Sequence, residues 1–186
     1  MGDLRIGQRP AAQWLLALTL AVLPLAAQEE PVKPTKPDPE VAAQLDRFEE
    51  CIRDKQEARE AEAVQIIDDL LARYDDMFSK DQRDFRKALL SVFTKAKPRK
   101  PEDPRLYRAT VDAMGTIGGP ESAKTLVGLY DNNKKIHGRE WEGLREQVLE
   151  NIGRCKDEKR VEFLLKRAIN DPEDGIKRAG GKALGY

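Results

Sequence analysis

One histidine, His137, and two cysteines, Cys51 and Cys155, are all the imidazole and thiol chemistry this 186-residue chain carries. Any site built on two imidazoles is therefore excluded. Glycine-rich phosphate loops, a G-x-S-x-G elbow, zinc-ligand spacing and a dinucleotide fingerprint are all missing. Net charge is missing too: 33 basic residues balance 33 acidic ones, without the basic excess that general binding to phosphate backbones requires. No stretch alternates apolar and polar residues for long enough to form a strand. Aromatics make up only 6% of the chain against 35% charged residues, a balance that suits helices with wide solvated faces.

What is present begins with a short apolar run. Arg5 and Arg9 precede Trp14–Ala27, which ends in Leu25-Ala26-Ala27 before Gln28. This is the layout of a secretory signal peptide, residues 1–27, too short to span a bilayer comfortably. The protein is thus expected to be exported, periplasmic or secreted, with membrane contact only if the segment stays uncleaved as an anchor. Cleavage would remove Asp3, Arg5 and Arg9 and leave 31 basic and 32 acidic residues. Residues 28–40 carry Pro31, Pro34, Pro37 and Pro39, a spacing that favours an extended tether.

From residue 41 to 97 the pattern is helical. Leu45, Phe48 and Ile52 form one stripe, and Ala63, Ile66, Ile67, Leu70 and Leu71 another. One long helix or two with a break near Asp54–Gln56 fit equally. Ser79-Lys80-Asp81-Gln82 reads as a capping box before Phe85, Leu89, Leu90 and Phe93. A basic, proline-containing loop at 98–103 follows. Asp103-Pro104 and Asp171-Pro172 each read as an N-cap before a first-turn proline.

Residues 104–186 repeat themselves. Gly115 is followed at fixed offsets by Leu126 and Val127, and Gly153 by Leu164 and Leu165. Val111-x-x-Met114-Gly115 and Leu149-x-x-Ile152-Gly153 lead into them, and Gly181-x-x-Leu184-Gly185 starts the pattern a third time. Helix pairs joined by a glycine turn and repeated every few tens of residues are the signature of an α-solenoid. With Arg108-Ala109 and Arg178-Ala179, the segment 103–186 resembles short bacterial HEAT-like repeats, the type also found in phycobilisome lyases. Asn151 departs from the small apolar residue usual there, and Gly180-Gly181 weaken the last helix. The resemblance implies an all-α, right-handed solenoid of antiparallel helix pairs used for protein–protein contacts. It does not imply lyase activity, since no lyase-specific motif is matched.

Candidate chemistry is thin. A Cys155–His137 pair would be split by a helix about 20 Å long. Asp131, Asn133 and Glu142 fit three positions of a calcium loop, but Lys135 and Ile136 stand where an oxygen donor and glycine are needed. No catalytic residue, cofactor or metal is therefore expected. Cys51 and Cys155 are expected to remain two free, largely buried thiols. Trp141, Tyr130 and Phe163 are large enough to anchor a partner, yet at helical spacing they read as core. Lys124, Lys166 and Arg167 fall on the polar side of the second helices, where HEAT-like stacks form a concave face, and are the candidate partner contacts. The expected function is a non-catalytic interaction or scaffolding module. The alternative is a structural subunit that self-associates through a frayed C-terminal end, residues 175–186, ordered on assembly.

Overall fold

The computed structural model describes residues 34–54, 59–96, 104–132, 136, 138 and 141–186, with the backbone alone at Glu142. The signal segment, most of the Pro-rich tether, the basic loop at 98–103 and His137 lie outside the described residues. Within them the fold is all-α, with no strand. The helices are α1 (Pro39–Arg53), α2 (Glu60–Ala72), α3 (Ser79–Lys95), α4 (Arg105–Ile117), α5 (Gly119–Asn132), α6 (Glu142–Arg154), α7 (Val161–Asn170) and α8 (Asp174–Ala183). They belong to one unit, Lys33–Tyr186.

Helix α1 begins at Pro39, two residues before the apolar pattern starts, because Asp38 caps it by accepting from Glu40 N at 2.8 Å. Proline is tolerated in a first turn, where its missing N–H has no partner to lose. The two apolar stripes belong to separate helices, since α1 ends at Arg53 and α2 starts at Glu60. The capping box at Ser79 does not form. Phe78 is the N-cap of α3 with no side-chain cap, while buried Asp81 accepts from Asp38 N at 2.9 Å and Gln82 donates to Tyr74 O at 2.7 Å. Both side chains are drawn to longer-range partners. Helix α4 starts at Arg105 with Pro104 as N-cap, and its Leu106 N–H donates to Glu60 of α2 at 2.9 Å. A carboxylate from a neighbouring helix thus satisfies an amide that a local cap would otherwise take.

Packing runs in series. Helix α2 lies on α4, α4 on α6 and α6 on α8; α1 packs on α2 and α3, α3 on α4, α5 on α4 and α6, and α7 on α8. The N-terminal segment therefore joins the same array as the repeats. Leu126 and Leu164 occupy equivalent buried positions in α5 and α7. Phe93, Tyr107 and Trp141 form an aromatic row, with ring centroids 5.0 and 6.0 Å apart. The Tyr107 hydroxyl donates to Ala96 O at 3.0 Å.

The repeated glycines do not make the turns. Gly115 and Gly153 sit inside the last turns of α4 and α6. A Cβ on Gly115 would run into the Asn151 side chain, and one on Gly153 into the Ala183 backbone. Asn151 stands two residues before Gly153, and Ala183 two before Gly185, so each contact links one helix to the same register of the next. The turn after α4 is made instead by Gly118 and Gly119, at φ +67° and +77°, conformations that L side chains rarely adopt. After α6, Lys156 takes φ +53°.

Helix α8 is already packed, contrary to the expectation of a frayed end. Ile176, Ala179, Gly180 and Ala183 are buried between α6 and α7. Gly180 lets α7 approach, since a Cβ there would sit 2.8 Å from Ala168 N. Gly181 faces open space, and Leu184-Gly185 fall beyond the helix. Gly153→Ala should therefore destabilise by about 1–3 kcal/mol through overpacking. Gly181→Ala should instead stabilise by up to about 1 kcal/mol. Urea denaturation of the two variants checks this; equal effects would contradict the packing.

Candidate interaction surface

Helix α7, VEFLLKRAIN, carries more apolar residues than one buried stripe can use. Only Leu164 is fully buried. Phe163 meets Tyr130 of α5 edge-on at 5.8 Å, and Ala168 faces Gly180 of α8. Val161, Leu165 and Ile169 are left, four residues apart and therefore on one face. They are 49%, 46% and 63% exposed. Among the described residues, the other exposed large apolar side chains are Leu90, Leu184 and Tyr186. Five of the six thus lie in α7 or just beyond α8. Val161, Leu184 and Tyr186 also line one shallow groove, floored by Ile152 and Leu164. Clustered exposed apolar side chains mark contact surfaces more often than scattered ones.

A buried polar network holds this face in place. Arg145 of α6, only 4% exposed, forms a bidentate pair with Glu173 at 2.9 and 2.6 Å. Glu173, not Asp171, is the N-cap of α8. Asp171 ends α7, accepts from Glu173 N at 3.2 Å and lies 3.5 Å from Arg167. Its carboxylate is used in the turn, so the N-cap position falls two residues on, at Glu173, whose side chain makes no cap bond and pairs with Arg145 instead. At the far end, Lys182 donates to Glu150 at 2.7 Å, which pushes its pKa up, and Arg154 lies 5.7 Å over the Tyr186 ring.

The three candidate contacts divide. Lys124 of α5 and Lys166 of α7 are exposed. Arg167 points inward. It donates to Asp131 at 2.9 Å and stacks on Tyr130 and Phe163 at 4.8 and 5.2 Å. Its role is to clamp α7 to α5, which removes it from the free surface. Trp141 and Tyr130 are likewise buried.

The two thiols are free and buried. Burial, with Asp157 nearby, pushes the Cys155 thiol up to about 11, and burial followed by Glu62 raises Cys51. Cys155 Sγ faces Met114 O at 3.9 Å. Both stay protonated near neutral pH and are unsuited to nucleophilic chemistry. Among the described residues, no group of three or more His, Cys, Asp or Glu side chains is gathered to hold a metal. Asp131 is engaged by Arg167, while Asn133 and His137 lie outside the described residues.

The chain matches no family model, no curated protein and no solved structure.

The apolar stripe was missed because Leu164-Leu165 reads as one buried pair. The signal was available in the spacing of Val161, Leu165 and Ile169 against that of Leu164 and Ala168. Arg167→Ala should cost about 1–3 kcal/mol, as loss of a charge-assisted, packed contact does. Lys166→Ala and Lys124→Ala should cost under about 0.5 kcal/mol. Thermal melts of the three variants should separate them; a neutral Arg167→Ala would return that residue to the free surface.

Proposed function

We propose that this protein is an exported, non-catalytic interaction or scaffolding module. Its helices are read as a right-handed solenoid of HEAT-like pairs, on a Pro-rich tether behind a cleaved signal peptide. The observation that carries the reading is the apolar stripe Val161–Leu165–Ile169, with Leu184 and Tyr186 beside it. The serial contacts α2–α4–α6–α8 support the solenoid reading, because each unit then meets mainly its neighbours. The weakly reactive thiols and the single histidine support a binding role over catalysis.

The test has two arms. Intact-mass measurement of the protein from its native host should give an N-terminus at or near Gln28. A full-length mass in the soluble cytoplasmic fraction would count against export. Cross-linking in the extracytoplasmic fraction should capture a protein through the wild-type chain and through Leu90→Glu, but not through Leu165→Glu. Capture indifferent to Leu165 would remove the stripe as the docking face.

A further inference from the structure

The exposed face of α7 has a counterpart inside the molecule. With Leu126 and Leu164 equivalent, Val161, Leu165 and Ile169 correspond to Ala123, Val127 and Asp131 of α5. Ala123 is fully buried, Val127 packs against the core and Asp131 pairs with Arg167 of α7. On α5 this face is covered at Ala123 and partly at Val127, while Asp131 is exposed and meets α7 through Arg167. On α7 it carries larger apolar groups and is open. The face is therefore shaped to receive a helix.

The charges beside it indicate which helix. Glu162 and Lys166 are exposed and stand four residues apart along one flank of the stripe. A second α7, laid antiparallel with the two-fold axis at Leu165, would set Leu165 against Leu165 and Val161 against Ile169. A two-fold axis crossing the helices keeps the charged flanks on the same side. Glu162 lies three residues before the axis and Lys166 one after it. Each Glu162 would then be offset by two residues, about 3 Å of helix rise, from Lys166 of the second copy. The pairing occurs twice, once in each direction, as an isologous contact demands.

Resting on the reading of this edge as a docking face, we propose that α7 pairs with α7 of a second copy of this chain. The pair is antiparallel, with apolar contact through Val161, Leu165 and Ile169 and reciprocal Glu162–Lys166 ion pairs. One helical stripe from each copy is a small interface, so the association is weak and concentration-dependent.

Sedimentation velocity on the purified full chain, from roughly 1 to 300 µM, reads this equilibrium in the range where small interfaces act. The wild type should shift from monomer to dimer, and Leu165→Glu should remain monomeric with unchanged helix content. Glu162→Lys or Lys166→Glu alone should weaken the dimer roughly tenfold, because each change turns two attractions into repulsions. The double variant Glu162→Lys/Lys166→Glu should recover to within about threefold of wild type, since the reciprocal pairs re-form. A dimer unaffected by Leu165→Glu would overturn the proposal, as would a double swap as weak as the single ones. A monomer at every concentration would overturn it too, and hydrogen exchange then identifies what replaces it. Protection of the exposed face of α7 would assign it to another part of the same chain. An open stripe that still captures a different protein would leave the broader interaction reading standing without self-pairing.

Discussion

The close approach of successive helices at glycine is the constraint on which the rest of the array depends. Where α4 meets α6, Gly115 lies under Asn151; where α6 meets α8, Gly153 lies under the Ala183 backbone. Absence of a side chain at these points leaves the space that the Asn151 side chain and the Ala183 backbone occupy, which a Cβ would overlap. Residues flanking the contacts then bury completely, among them Val111, Leu149 and Ile152. Asn151 fits this position because its amide has partners of its own. It donates to Asp112 at 2.9 Å and to Gln147 O at 3.0 Å, so its polar head is not stranded when its stem closes over Gly115.

Once α6 and α8 are that close, the turn between α7 and α8 must be held from below. Arg145 does this through Glu173, and Arg167 does it from α7 through Asp131 and Asp171. A nearly buried guanidinium is costly to desolvate, and fork-to-fork pairing with a carboxylate is the geometry that offsets the cost best. The same network fixes which face of α7 is turned outward. With Phe163 and Arg167 committed to α5 and Ala168 to α8, Val161, Leu165 and Ile169 have no place in the interior. The exposed apolar stripe is thus a consequence of the packing that orders α8.

Much of this architecture was legible in the residues. Helical periodicity marked the elements, and the shared offset from each glycine to the apolar pair that follows it located Leu126 and Leu164 as core. The glycines themselves misled, since a glycine at the end of an apolar segment fits a turn and a close helix contact equally. Only the partner across the contact distinguishes the two, and that partner is Asn151 for Gly115 and Ala183 for Gly153, 36 and 30 residues on. Caps were also misplaced. Gln82 reaches back to Tyr74 O instead of closing the capping box at Ser79, and the Asp171 carboxylate is taken up inside its own turn by Glu173 N and Arg167. Arg167 looked like a surface cation because nothing in its own helix shows that Tyr130 and Asp131 stand opposite. The apolar stripe was hidden in a helix with three hydrophobic faces, whose outward one is chosen only by its neighbours.

A double-mutant cycle across the first glycine contact tests the central claim most directly. Gly115→Ala should cost about 1–3 kcal/mol if the new methyl meets the Asn151 side chain. Adding Asn151→Ala should relieve that collision, so the double variant should be at least about 1 kcal/mol more stable than the sum of the single effects. Strict additivity would mean that α4 and α6 do not meet at Gly115, and the serial packing of the array would have to be abandoned.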